Sequence, residues 1–260
     1  MVNASSKLVL RTDDARGVTT LTLNRPEAFN ALSEDLLSDL QDTLDDLAQD
    51  KKLRVVVIAA SGKAFCAGHD LREMRANPSL DYYQKLFSQC GRMMMRIQTL
   101  QVPVIAKVQG IATAAGCQLV AQCDLAVASS DARFAVSGVN LGLFCATPSV
   151  ALSRNLTRKA AFEMLVTGDF INAQEAMAKG LVNRVVSSDA LDAAVEEMVS
   201  KILSKPHVAL AMGKELFYKQ IETGIDGAYV LAANSMACNM MEDTALEGVQ
   251  AFLEKRSPNW

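Results

Sequence analysis

The chain has 260 residues, half of them apolar, with 26 Lys and Arg against 29 Asp and Glu, for a formal net charge of −3. That is enough apolar sequence for one large α/β domain or two smaller ones with a sizeable core. The mixed charge leaves no basic run for nucleic acid and no acidic arm, and no apolar stretch nears the roughly 18 residues of a membrane span.

Apolar alternation over residues 7–11 and 18–23, joined by a polar turn at 12–17, predicts a β-hairpin. Ser33-Glu34-Asp35 opens a helix with Ser33 as its N-cap, and Leu36, Leu37, Leu40, Leu44 and Leu47 fall on one face at helical spacing. The apolar run 54–59 predicts a buried strand, followed by a helix over 81–100 and a strand over 104–108. A short helix at 116–122 and a strand at 124–128 repeat this rhythm of strand, glycine loop and helix, which predicts a layered α/β core. After Pro148 helical patterns dominate, over 158–167, 173–180, 190–203, 209–223 and 227–241, with one strand at 182–186. Asp42, Asp45, Asp46 and Asp50 read as the solvated side of the Ser33 helix. Met93-Met94-Met95 reads as core or pocket lining, and His207 as a surface residue.

The six cysteines, at 66, 90, 117, 123, 145 and 238, form no CxxC pair and read as reduced, mostly buried thiols. With only His69 and His207 in the chain, no histidine-rich metal site is expected. The first seven residues carry no positive segment followed by an apolar one. No signal peptide is read, and the expected location is cytoplasmic, or the mitochondrial matrix if a presequence has been removed.

Two small-residue loops follow buried strands: Ser61-Gly62-Lys63-Ala64-Phe65-Cys66-Ala67-Gly68-His69-Asp70-Leu71, and Gln109-Gly110-Ile111-Ala112-Thr113-Ala114-Ala115-Gly116-Cys117-Gln118-Leu119. Small residues let a ligand approach the backbone, and a helix start offers unpaired N–H groups. Two such amides aimed at one point would hold an oxygen that becomes negative, although loops of this kind also simply turn the chain. Neither loop is a dinucleotide or phosphate-loop motif, which leaves a nucleotide-dependent enzyme far behind.

These loops, with Asn24-Arg25-Pro26-Glu27-Ala28-Phe29-Asn30-Ala31-Leu32 before them and Val139-Asn140-Leu141-Gly142, Ala178-Lys179-Gly180-Leu181-Val182 and Ala251-Phe252-Leu253-Glu254-Lys255-Arg256 after them, resemble the crotonase (enoyl-CoA hydratase/isomerase) superfamily over residues 8–260. Within it, residues 114–121 and 138–145 look closest to the enoyl-CoA hydratase domain-containing protein 3 group. The resemblance implies an α/β fold: a crotonase-like spiral of ββα units over residues 1–195 and a C-terminal helical oligomerisation region over 196–260. It also implies homotrimers, often paired into hexamers, and an acyl-CoA substrate of fatty acid metabolism with no further cofactor and no metal. The matching positions place the oxyanion-hole amides at Ala67 and Ala115. They put Glu27, Ala28, Ala31, Ala67, Gly68, His69, Asp70, Leu71, Gly116 and Asn140 along the substrate and CoA. Phe252 and Lys255 would reach CoA on a neighbouring subunit. Glu27 stands where some relatives carry a CoA-contacting lysine.

The family's two hydratase glutamates match Gln118 and Gly138. Glutamine cannot exchange a proton at neutral pH and glycine has no side chain, so two groups worth about 10²–10⁴-fold each are missing. Gln118 remains able to orient a water or a substrate oxygen. His69 is the candidate replacement acid or base, because histidine titrates near neutral pH. The plainer reading, which ranks first, has it pack against CoA or bond the backbone. Asp70 reads as a helix-capping carboxylate, Asn140 as a substrate contact or a turn residue, and Cys66, Cys117 and Cys145 as small buried hydrophobes. The expected function is an enoyl-CoA hydratase/isomerase-class lyase that stabilises a thioester enolate, with hydration itself in doubt. The alternatives are a crotonase-type decarboxylase and a non-catalytic acyl-CoA binder.

Overall fold

The computed structural model describes residues 7–260; the segment read above for a signal peptide lies almost wholly outside them. In chain order the elements are β1 (Val9–Asp13), β2 (Val18–Leu23), a 3-10 turn (Pro26–Ala28), α1 (Glu34–Leu47), β3 (Val55–Ala60), β4 (Ala64–Cys66), α2 (Leu71–Ala76), α3 (Leu80–Thr99), β5 (Val104–Val108), β6 (Ile111–Thr113), α4 (Ala115–Gln122), β7 (Leu125–Ser129) and β8 (Arg133–Ala135). A second 3-10 turn (Ser137–Leu141) leads to α5 (Ala146–Asn155), α6 (Arg158–Thr167), β9 (Ile171–Asn172), α7 (Ala173–Lys179), β10 (Arg184–Val186), α8 (Leu191–Leu203), α9 (His207–Ile221), α10 (Ile225–Met240) and α11 (Asp243–Leu253).

The larger sheet runs β1-β2-β3-β5-β7-β10, with β1 antiparallel to β2 and the rest parallel; the smaller runs β4-β6-β8-β9. Each long strand β3, β5 and β7 is followed at once by a short strand of the second sheet and then by helix. The chain therefore coils as successive ββα units, as the resemblance implies. The expected strands and helices form within a residue or two. The three-residue strands β4, β6 and β8 and the six-residue helix α2 are not expected from the sequence, because so few residues show no clear period, and α5 and α11 are not expected either.

Val56 and Ile58 of β3 face the main core while Val55 and Val57 face a second cluster, so the strand is apolar on both sides. The main core takes in all five α1 leucines, and the Ser33 hydroxyl caps that helix by accepting the Leu36 N–H at 3.2 Å. Leu191, Ala194, Val195, Met198 and Val199 of α8 cover the opposite face of the sheet. The boundary expected between residues 195 and 196 thus falls inside one continuous, packed helix, and α8 belongs to the core layer.

The helices α9 to α11 differ. Only Ala251 among them is buried, while Phe217, Ile225, Tyr229, Val230, Met236 and Met241 are exposed. They are anchored through Lys214, whose Nζ donates to the carbonyls of Ile97 and Val102 and pairs with Asp124 at 2.6 Å, and through the Tyr218 hydroxyl on the other Asp124 oxygen. His207, read as a surface residue, is half-buried at the start of α9 with its Nε2 shielded. Met93 and Met94 are core while Met95 is exposed. No described helix is long and apolar enough to cross a membrane.

Candidate active site

The segment between β2 and α1 is tied to the first small-residue loop by one buried side chain. Asn30 sits in the left-handed region at φ 54°, a conformation that asparagine tolerates better than most residues. Its Oδ1 accepts the Arg25 N–H at 2.8 Å, and its Nδ2 donates to the carbonyls of Ser61 (2.8 Å) and Ala64 (2.9 Å). Gln109 Nε2 holds the same loop through the carbonyls of Ala60, Gly62 and Ala64. Arg25 pairs with Asp70 at 2.7 Å and donates to the Ala31 carbonyl at 3.1 Å. Asp70 caps α2, as the sequence predicts, accepting from the Arg72 and Glu73 amides. Burial pushes its carboxyl upward, but Arg25 and the two amides outweigh that and hold it below the ordinary range.

This bracing decides which amides are free. The Ala67 N–H is spent on the Phe29 carbonyl at 3.0 Å, and the Asp70 N–H goes to Leu32. Ala67 therefore cannot be the oxyanion donor expected of it. Among the described residues nothing accepts the main-chain N–H of His69, nor that of Ala115 at the first position of α4. The loops touch at this point: a Cβ on Gly68 would lie 3.2 Å from the Ala115 nitrogen. Gly68 adopts φ 89°, and at Gly116 a Cβ would come within 2.1 Å of the Cys66 carbonyl, so α4 lies against β4 only because that residue is glycine. Ala114, before Ala115, is held at φ 51° and ψ −121°, strained for an L-residue.

An apolar cavity of about 220 Å³ opens beside these amides. Ala67, His69, Leu71, Met74 and Phe87 form one side, Ala114, Ala115, Ser137 and Gly138 the base, and Leu141, Leu143, Phe144, Cys145, Ala146, Thr147 and Pro148 the facing wall. No Asp, Glu, Lys or Arg lines it. The Ser137 and Thr113 hydroxyls are hydrogen-bonded to each other at 3.0 Å. The His69 ring meets Phe87 edge-on at 5.4 Å, and both ring nitrogens are shielded without a partner. Burial pushes the imidazole down to about 4; the Leu32 carbonyl pulls weakly the other way without a hydrogen bond. His69 is neutral at pH 7, so the expectation that it titrates near neutrality fails, and its side chain is a poor proton carrier there.

Gln118 is buried on α4 with an unpartnered Oε1 and does not line the cavity. Gly138 does line it, but the position is closed to a side chain: a Cβ would lie 2.5 Å from the Leu143 carbonyl oxygen and 2.7 Å from Cys145 Sγ. The wall fills the space that a side chain at this position would need. Burial pushes the Cys66 and Cys117 thiols up to about 12 and raises Cys145 too, leaving them unreactive as read.

The other expected contacts scatter. Glu27 is exposed on the first 3-10 turn, Ala28 half-buried and Ala31 buried beside it, all outside the cavity wall. The exposed Asn140 amide donates to the Gly168 carbonyl at 3.4 Å and does not line the cavity. Phe252 and Lys255, at the end of α11, are exposed and do not line this chain's own cavity. Sequence reasoning missed the Asn30 and Gln109 clamps and the wall over 143–148. For Asn30 the available signal was an asparagine in a stretch that must turn sharply.

Both the sequence and the fold match known proteins. The sequence model of the enoyl-CoA hydratase/isomerase family matches residues 13–260. The chain is 44% identical over 265 residues to the mitochondrial enoyl-CoA hydratase domain-containing protein 3 of Xenopus laevis, covering 100% of this chain and 90% of that one. Its fold superposes on the crystal structure of a Mycobacterium smegmatis enoyl-CoA hydratase with a TM-score of 0.97 at 66% identity, covering 98% of this chain and 99% of that chain. It superposes on the human enoyl-CoA hydratase domain-containing protein 3 with a TM-score of 0.93 at 42% identity, covering 97% of this chain and 100% of that chain.

Proposed function

The chain belongs to the enoyl-CoA hydratase/isomerase family, and on that premise we propose that it binds an acyl-CoA thioester with the carbonyl oxygen between the main-chain amides of His69 and Ala115. The observation that carries this reading is the pair of unspent N–H groups where the two loops touch, beside an apolar cavity. Donors fixed in advance by Asn30, Gln109 and the Arg25–Asp70 pair cost no reorganisation when charge develops on that oxygen. The chemistry they favour is formation of an enolate at the carbon next to the thioester. Ala28, Ala31, Gly68, Asp70 and Leu71 flank the CoA moiety. In a homotrimer or hexamer, Phe252 and Lys255 reach it from a neighbouring subunit, a reading supported by the exposed apolar surface of α9 and α10.

Hydration is not the favoured reaction. It needs a proton acceptor and donor around a water, and the cavity offers a neutral imidazole of low basicity, a glycine and, behind the wall, a glutamine. Loss of carbon dioxide from a malonyl-type thioester needs no protein base: the carbon–carbon bond pair passes into the enolate as the carboxylate group departs as carbon dioxide, and a water molecule then supplies the proton that completes the product. The second reading, a non-catalytic acyl-CoA binder, is favoured by the absence of any Asp, Glu, Lys or Arg from the lining.

Titration calorimetry with butyryl-CoA tests the binding. Replacing Ala115 with proline removes one donor at the first helical position, and because the ring follows Ala114 at φ 51° and ψ −121° the variant is first checked for folding by circular dichroism. An affinity loss of about tenfold or more is expected in a variant that remains folded. No affinity for any CoA ester, or undiminished affinity in a folded Ala115→Pro variant, sinks the proposal. Turnover of methylmalonyl-CoA but not crotonyl-CoA supports the decarboxylase, and binding without turnover of either supports the binder.

A further inference from the structure

The helices α6 and α7 end on Gly168 and Gly180, at φ 66° and 91°, where glycine takes the left-handed conformation without a steric clash. The helix α11 closes as α7 does. Its Arg256 N–H reaches back to the Ala251 carbonyl at 3.0 Å, as the Leu181 N–H reaches Ala176 at 2.8 Å, but here the left-handed residue is Lys255, at φ 56°. A lysine in that conformation is strained and persists only where its surroundings over-determine it. Lys255 is exposed, and among the described residues no carboxylate pairs with it; Glu247 and Glu254 both pair with Arg256. What over-determines the turn is the segment after it. Arg256 folds back along α11 and grips Glu247 through two parallel bonds, Nη1 to Oε1 at 2.6 Å and Nη2 to Oε2 at 2.9 Å, and the Asn259 N–H adds a third to Oε1 at 2.8 Å. The Trp260 ring lies so close over Gly248 that a Cβ there would sit 3.0 Å from a ring carbon, and its Nε1 donates to the Ser204 carbonyl at 3.4 Å. Trp260 thereby ties α11 to the junction of α8 and α9, where Arg54 holds the adjacent carbonyls of Leu203 and Lys205.

We propose that residues 256–260 are a clasp, with Glu247 as its hub, that sets the direction of the last turn of α11 and so positions Lys255 and Phe252 for the CoA moiety held by a neighbouring subunit. Arg256, Glu247 and Trp260 are positioning residues that touch no substrate. The inference rests on the reading above that Lys255 and Phe252 reach a neighbour's CoA, and deepens it by naming what aims them. The unpaired ammonium group of Lys255 suits the phosphates of CoA, and a side chain whose backbone is fixed in advance loses less freedom on binding.

The test is calorimetry with butyryl-CoA and with butyryl-pantetheine, which keeps the thioester and lacks every phosphate, on the native protein and on Arg256→Gln. Arg256 is exposed, so the variant is expected to stay folded. Trp260 is the single tryptophan of the chain and is half-exposed, so release of the clasp should move its emission to longer wavelength. The variant should lose about five- to tenfold in affinity for butyryl-CoA and keep its affinity for butyryl-pantetheine. Combining Glu247→Arg with Arg256→Glu should recover part of that loss. Undiminished butyryl-CoA affinity in a folded variant overturns the inference, and so does an unmoved emission or an equal loss for both esters. A variant of smaller mass in solution than the native protein also overturns it, by assigning the clasp to assembly. Equal affinity of the native protein for the two esters removes the neighbour's contact and this inference with it, while the grip on the thioester stands. Binding of neither ester overturns the parent reading as well.

Discussion

The two sides of the cavity are built in opposite ways. On the amide side, nearly every polar group of the first loop has a partner: Asn30 satisfies three main-chain groups, Gln109 bridges three carbonyls, and Arg25 locks Asp70, which caps α2. The amides of His69 and Ala115 have no acceptor among the described residues at the point where the loops touch. On the facing wall, from Ser137 to Pro148, apolar side chains predominate and several remain exposed. The lesson is that free backbone donors and apolar side chains are supplied by different segments. One can be over-determined without the other, because backbone amides need a braced loop.

The largest effect that would break this contrast is expected at Asn30. Asn30→Ala strands the Arg25 N–H and the Ser61 carbonyl, leaves the Ala64 carbonyl to Gln109 alone, and keeps a residue at φ 54°. A loss of about 3 kcal/mol or more of stability should follow in urea unfolding, along with loss of acyl-CoA binding. A variant as stable as the native protein would mean the bracing is dispensable.

The next effect concerns His69. Its folded pKa of about 4 lies below the ordinary 6.5, so the unfolded chain binds more protons between those values. Its contribution is therefore complete above pH 6.5 and is lost as pH falls toward 4, to a limit of about 3 kcal/mol at 1.36 kcal/mol per unit. His69→Phe keeps the main-chain N–H and should remove that part of the pH dependence. Stability curves at pH 7 and pH 4.5 that differ equally for both proteins would show that the ring is not protected.

On the wall, Gly138→Ala should cost about 1–3 kcal/mol, because the new methyl meets the Leu143 carbonyl and Cys145 Sγ. Combining it with Cys145→Ala should recover part of that loss, a non-additivity that thermal melts would reveal. A neutral Gly138→Ala would mean the wall yields and a carboxylate could be restored there. The smallest effect is expected at Ala114→Gly. Relief of the strain at φ 51° outweighs the added chain entropy and stabilises by up to about 1 kcal/mol.

Local signals were legible in the sequence wherever one element imposes a clear pattern. The five leucines of α1 and the Ser33 cap, the hairpin of β1 and β2, and the strand β5 were placed from spacing alone. The short strands of the second sheet were not, because three residues carry no period, and they are strands only by pairing with each other. Within the site, the two loops were found by their small residues, but the choice of donor went to Ala67. No count along the loop reveals that this amide is taken by the Phe29 carbonyl. Asn140 was likewise left between contact and turn, and its amide donates to the Gly168 carbonyl.

By itself, then, the sequence determined the layered α/β class, the two small-residue loops, and the presence of a glutamine at 118 and a glycine at 138, because residue identity and period are local properties. Only the tertiary structure decided that the His69 ring is buried while its amide has no acceptor among the described residues, and that the wall closes over Gly138. Both depend on which atoms from distant segments arrive alongside, through burial that removes water from the imidazole and a carbonyl that fills the space above the glycine.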